Sequence, residues 1–138
     1  MMTILVDSNV IMDVMDPRSI WWSWSADQIE RAVESDRKLV INPIIYAEVS
    51  VPFDSRRLVD EALRTSQFAR EDLPWSAAFE AGKAFLAYRR RGGERRSPLP
   101  DFFIGAHAKA RNYTLLTRDP TPYRTYFPDV ELIAPDPQ

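Results

Sequence analysis

Four acidic residues stand out by where they fall along the chain. Asp7 directly follows the apolar run Ile4-Leu5-Val6. Glu48 interrupts the apolar stretch Ile44-Ile45-Tyr46-Ala47-Glu48-Val49. Asp101 comes after an approach restrained by Pro98 and Pro100, and Asp119 lies two residues beyond Leu115-Leu116-Thr117. Gathered at one place, three or four carboxylates cannot all stay ionised without a cation. Hard divalent ions such as Mg²⁺ or Mn²⁺, one or two of them, take oxygen ligands and relieve that repulsion. Such a site activates water and holds phosphate oxygens for in-line displacement. Taken singly, each acid has a simpler reading. Asp7 reads as a turn or helix-cap residue, Glu48 as a solvated helix residue, Asp101 as an N-cap and Asp119-Pro120 as a turn. Only the joint pattern points to chemistry.

The rest of the inventory narrows the options. The chain has no cysteine and one histidine, His107. Disulfides, thiolate zinc sites and cysteine nucleophiles are excluded, and so is a two-histidine zinc motif. Any Ser-His-Asp triad would have to use His107. Oxygen-ligand metal chemistry needs no imidazole base, because the metal itself lowers the pKa of its water.

The elements that must position these acids alternate in type. Short apolar runs at 4–6, 39–41, 114–117 and 131–134 read as buried strands, and 67–73 is a further strand candidate. Between them lie helical patterns. Val10, Ile11 and Val14 recur at helical spacing up to Asp16-Pro17. A helix over 25–35 shows Ile29, Ala32 and Val33 on one face, and one over 44–49, with Pro43 at its start, stops near Pro52. Asp54 can cap a helix with the stripe Leu58, Val59, Ala62 and Leu63. A longer helix over 74–90 carries Ala78, Ala81, Phe85 and Tyr88 on one face and ends at Gly92-Gly93. The last, opened by Asp101, turns Ile104 and Ala108 inward. This alternation predicts a single α/β domain over 1–138, a three-layer α/β/α sandwich around a mainly parallel sheet of four or five strands. Sites in such sheets form at the carboxyl ends of strands near a switch in strand order. Asp7 and Asp119 fall at that edge directly. Glu48 and Asp101 fall near helix starts that should face it.

With 45% hydrophobic residues in 138, the chain can fill a core, and disordered or low-complexity classes are excluded. The formal charge of −2 is not that of a strongly basic nucleic-acid binder, but setting the four acids aside turns it to +2. No apolar stretch is long enough to span a membrane, and the N-terminus lacks the basic start and apolar core of a signal peptide. A soluble cytoplasmic protein without membrane contact is expected.

The four segments in order resemble the PIN-domain nucleases, and within them the VapC-type toxins of bacterial toxin–antitoxin modules. Ile4 to Ile11 is similar to the opening strand with its first acid, and Val40 to Val49 to the second motif. Asp101 to Ala108, then Leu115 to Pro120, follow the third and fourth, and 126–135 follows the ending. The resemblance implies that Asp7, Glu48, Asp101 and Asp119 are the acidic quartet, with Asp7 and Asp101 the firmest metal ligands. Glu48 and Asp119 complete the metal environment directly or through water, and Ser8, Asn9 and Thr117 support the acids. It further implies Mg²⁺-dependent endoribonuclease activity on an RNA substrate, a cognate antitoxin partner and a homodimer. Gly105 departs from the pattern, standing where related sequences often carry alanine.

Two other readings compete. One is a receiver-like phosphoacceptor domain, which also clusters acids but normally needs a lysine near its last strand, and Glu131-Leu132-Ile133-Ala134 has none nearby. The other is a catalytically silent PIN-like scaffold for RNA or protein. Outside the acids, Arg89, Arg90, Arg91, Arg95 and Arg96 crowd one segment with a single Glu, and with Arg118 are candidate RNA-backbone contacts. Trp21, Trp22 and Trp24 are candidate partner contacts. Trp21 and Trp24 share a helical face, which leaves Trp22 the more exposed. His107 reads as a buried or half-buried, hydrogen-bonded residue rather than a catalytic one.

Overall fold

The computed structural model describes residues 2–93 and 99–136. The first apolar run forms β1 (Thr3–Val6) and leads into α1 (Ser8–Val14) and α2 (Trp22–Glu34). β2 (Lys38–Ile41), α3 (Pro43–Ser50) and α4 (Arg56–Ala62) follow. Then come β3 (Ala69–Arg70), α5 (Trp75–Arg90) and α6 (Leu99–Arg111). β4 (Thr114–Leu116), α7 (Thr121–Tyr126) and β5 (Leu132–Ile133) complete the chain. The strands form one sheet in the order β3-β2-β1-β4-β5, and every pairing is parallel. Right-handed crossovers place the connections that step from β1 to β3 on one face and those that return to β4 and β5 on the other. Contacts agree, with α1 on α2 and α3 in one layer, and α6 on α5 and α7 in the other. The chain reverses its stepping direction beside β1, so the switch point lies between β1 and β4. A receiver-like sheet would run 2-1-3-4-5; this order sets that reading aside.

The strands are buried on both faces, which is why they read as unbroken apolar runs: Ile4, Leu5, Val6, Val40, Leu115 and Leu116 are all fully buried. Among the described residues no helix is long and apolar enough to cross a membrane.

Several local expectations are corrected. α2 begins at Trp22, three residues before the helix read from 25–35, and Val33 on it is exposed. Ser55 caps α4 by accepting from Leu58 N–H, one position after Asp54. Leu58 is itself exposed, so the α4 stripe is narrower than the sequence suggested. Asp101 is not the cap of α6 but lies in its first turn, because a helix tolerates Pro100 at its start. α7 was not anticipated at all. α5 ends where Gly92 takes a left-handed φ of 84°, as the Gly-Gly pair suggested.

Gly105 has a packing reason. A Cβ there would run into the Phe127 ring, which is buried against Phe102. Gly105→Ala gains about 1 kcal/mol of helix propensity and loses more to overpacking. A net loss of about 1–2 kcal/mol is expected in denaturant unfolding, and Phe127→Leu in the same chain should recover part of it.

Candidate metal-dependent active site

Asp7 takes the N-cap position of α1, yet its side chain makes no capping bond. It turns instead into the switch point. Its Oδ2 accepts from Thr117 Oγ1 at 2.8 Å, Tyr123 Oη at 2.8 Å and Asn9 Nδ2 at 3.3 Å. Among the described residues Oδ1 makes one side-chain contact, a long 3.5 Å to Ser8 Oγ. Ser8 has one proton, and the shorter bond, 2.9 Å to Glu48 Oε1, claims it. The helix that carries Glu48 is fixed at its start by Asn42, whose Oδ1 accepts from Ile45 N–H at 2.9 Å. Such a cap contributes about 1 kcal/mol.

Asp101 reaches the same place from the other layer. Tyr123 Oη lies 3.4 Å from Asp101 Oδ1. One phenolic proton serves one acceptor fully, and Asp7 is the nearer. A single hydroxyl thus separates Asp7 from Glu48, and another separates Asp7 from Asp101. Asp119 lies at the exposed rim, with its backbone N–H donating to Thr117 Oγ1 at 3.1 Å.

The electrostatics show carboxylates held near one another. Burial, then the charges of Asp7, Glu48 and Asp119, push the Asp101 carboxyl up to about 7. Burial also raises Asp7, against the hydrogen bonds from the Tyr123 and Thr117 hydroxyls and the Ser8 backbone N–H. Glu48 is raised by burial and by Asp7, against the bond from Ser8. The Tyr123 hydroxyl is raised well above its ordinary value by burial and by Asp7 and Asp101, so it stays a donor.

The donors are all oxygens, which suits a hard divalent cation. Among the described residues, however, no three Asp, Glu or His side chains stand close enough to hold a metal ion as they are. The carboxyls are parted by the Ser8 and Tyr123 hydroxyls, and Asp7 Oδ1 is the oxygen best left open. The donor set fits in kind and needs the side chains to turn inward to close.

Other expected residues sort as follows. Ser8, Asn9 and Thr117 all bond to the acids. Arg118 does not stand free: its Nε donates to buried Asp13 at 2.8 Å. Arg89 and Arg91 lie over the rings of Phe85 and Tyr126, and Arg90 is exposed. Arg95 and Arg96 lie outside the described residues. Trp21 meets Trp24 edge-on, with ring centres 6.3 Å apart, and Trp22 is exposed. His107 is fully buried. Asn42 points its amide nitrogen at His107 Nδ1, 2.9 Å away, because its oxygen is committed to the α3 cap. His107 Nε2–H then donates to Glu71 Oε1 at 3.0 Å.

Tyr123 was missed in the sequence. Its one signal was the spacing of Tyr123 and Phe127, four apart after Pro122, both of which turn out buried.

The PIN domain family model matches residues 4–128. The chain belongs to the PIN domain family. Solved structures agree on the fold. This PIN domain is similar to a chain of VapBC2 from Rickettsia felis bound to a DNA fragment from its promoter, at 18% identity and TM-score 0.73 over 98% of this chain and 100% of that one. It is similar to a chain of a toxin–antitoxin complex from Klebsiella pneumoniae, at 21% identity and TM-score 0.64 over 93% and 95% of the two chains. VapC20 from Mycobacterium tuberculosis, described as a sarcin–ricin loop cleaving toxin, matches at 14% identity and TM-score 0.56 over 82% and 87%. No curated protein matches in sequence.

Proposed function

We propose that this PIN domain is a divalent-metal-dependent endoribonuclease, acting as the toxin of a toxin–antitoxin pair. The observation that carries the reading is the grouping of Asp7, Glu48 and Asp101 around the Ser8 and Tyr123 hydroxyls at the switch point of the sheet. Asp7 and Asp101 would hold Mg²⁺ or Mn²⁺, with Glu48 and Asp119 completing the set. A bound ion supplies an activated water and neutralises charge developing on the phosphodiester. Thr117, Asn9 and Tyr123 hold Asp7 Oδ2 and so aim Oδ1 into the site. Ser8 orients Glu48. The basic end of α5, Arg89 to Arg91, offers phosphate contacts. A silent scaffold has no use for carboxyls held at this energetic cost. The test is incubation of purified protein with RNA and with single-stranded DNA, in Mg²⁺ and again in EDTA. Cleavage of RNA that EDTA abolishes supports the reading; no cleavage in Mg²⁺ or Mn²⁺ rejects it.

The antitoxin part of the proposal draws support from the toxin–antitoxin complex among the structural relatives. Trp22 and the neighbouring exposed Ile20 offer an apolar anchor for such a partner.

We propose that a homodimer would form through one face of α5. Trp75, Phe79 and Leu86 are 92%, 64% and 41% exposed, and with Gly82 they line the face of α5 opposite its buried residues Ala77, Ala81 and Ala84. Nothing lies within 4 Å of a Cβ placed on Gly82. Two antiparallel copies of α5 crossing between Phe79 and Gly82 would seat each Phe79 in the notch of the other Gly82. Trp75 would meet Leu86 at both ends. Phe79→Glu is expected to turn a dimer into a monomer in size-exclusion chromatography with light scattering; an unchanged mass sinks this surface.

A further inference from the structure

Asn9 and Asp13 stand one turn apart on α1, and both grip the same residue. Asn9 Oδ1 accepts the backbone N–H of Arg118 at 3.2 Å, and Asp13 Oδ2 accepts its Nε–H at 2.8 Å. Arg118 lies between Thr117, whose hydroxyl donates to Asp7, and Asp119, whose N–H is held by that same hydroxyl. We propose that Asp13 is a positioning residue, which acts through Arg118 to fix the 117–119 bend and thereby the places of the Thr117 hydroxyl and the Asp119 carboxylate.

Stability alone is a poor reason for this carboxylate. Asp13 is 3% exposed and sits in the last turn of α1, where the helix dipole disfavours an anion. Replacing a buried ion pair with apolar groups of like volume often costs nothing. What the carboxylate does is join three segments: Ser19 Oγ donates to Oδ1 at 3.1 Å, Ser25 Oγ to Oδ2 at 2.8 Å, and Arg118 supplies the cation. The assignment also changes the reading of Arg118. Its Nε is spent on Asp13, and its side chain borders the cleft lined by Met12, Met15, Asp16 and Phe53, which includes none of the four site acids.

The inference rests on the nuclease reading, so its test needs a measurement independent of cleavage. Asp13→Asn, Arg118→Gln and Ser25→Ala are made in the full chain. Ser25→Ala removes a donor from the same carboxylate but leaves the Arg118 tether, so it controls for general weakening. Amide hydrogen exchange at Arg118 and Asp119 is measured first, then Mn²⁺ affinity, then kcat and KM on RNA. Asp13→Asn and Arg118→Gln are expected to speed exchange at both amides at least about tenfold, and to weaken Mn²⁺ binding or lower kcat by about 10–100-fold with KM little changed. Ser25→Ala leaves all of these within about twofold of wild type, even if its thermal midpoint falls. Unchanged exchange and Mn²⁺ affinity in Arg118→Gln overturn the proposal, as does a rise in KM alone, which would make Arg118 a substrate contact. Should Asp13→Asn fail to fold, Arg118→Gln carries the comparison. A wild-type chain that neither binds Mn²⁺ nor cleaves RNA defeats the nuclease reading, and the exchange contrast then decides the tether alone.

Discussion

Asp7→Asn and Asp101→Asn are each expected to cut metal-dependent RNA cleavage by at least about 10²–10³-fold, the scale on which one preorganised group that stabilises transition-state charge acts. The two losses should arise differently. Asp7 is 2% exposed, and its Oδ2 takes three donors. An amide there can present its oxygen to those donors and must then place an NH₂ where Oδ1 stood. The open oxygen becomes a donor that repels a cation, while the surrounding bonds survive. Among the described residues Asp101 meets the Tyr123 hydroxyl, at 3.4 Å, and its amide removes a charge with little rearrangement. Circular dichroism and size-exclusion behaviour should match wild type in both variants, so the loss is chemical. Undiminished cleavage by both purified variants would refute the site. Wild-type cleavage that persists in EDTA would refute its dependence on a cation.

Much of this candidate site's placement was legible because the sheet is buried on both faces. Its strands are unbroken apolar runs, so the first polar residue after each run falls at the carboxyl edge. That logic places Asp7 after Val6, Asn42 after Ile41 and Thr117 after Leu116. Glu48 was legible for the opposite reason, as a charge inside an apolar helix that the fold leaves half-buried against Ser8. What stayed hidden depended on pairings across long stretches of chain. Tyr123 meets Asp7 from 116 residues away, on a helix of six residues too short to leave a periodic signature. Asp13 was one acid among 20 until Arg118, 105 residues on, closed onto it. For Arg118 the sequence shows a charge but not that its Nε is bound to Asp13. Gly105 departs from the family pattern where alanine is common, and the Phe127 ring gives a reason that local rules do not contain.

Stability without divalent metal should fall as pH rises from about 4 to above 7, a trend opposite to that of most salt-bridged carboxylates. The Asp101 carboxyl, ordinarily at 3.8, titrates near 7 in the folded chain. Below about 4 both folded and unfolded states hold its proton. Between about 4 and 7 the folded state alone holds it, so each step up in pH favours unfolding, and above 7 the full cost is present. Asp7 and Glu48 are raised as well and act in the same direction. Asp16, Asp60 and Glu71 are lowered, so their contributions fade only as pH falls below their ordinary values and leave the neutral range untouched. Discounted for solvent screening, the Asp101 cost is on the order of 2 kcal/mol, or about 5 °C in thermal midpoint between pH 5 and pH 8. Asp101→Asn should flatten that slope and melt higher than wild type at pH 8, the same substitution that abolishes cleavage. Mg²⁺ in EDTA-free buffer should raise the wild-type midpoint at pH 8 more than at pH 5, because only the ionised site gains from a cation. A wild-type midpoint that rises with pH in EDTA, or a Mg²⁺ effect equal at both pH values, would show that these carboxyls do not strain one another as the geometry requires.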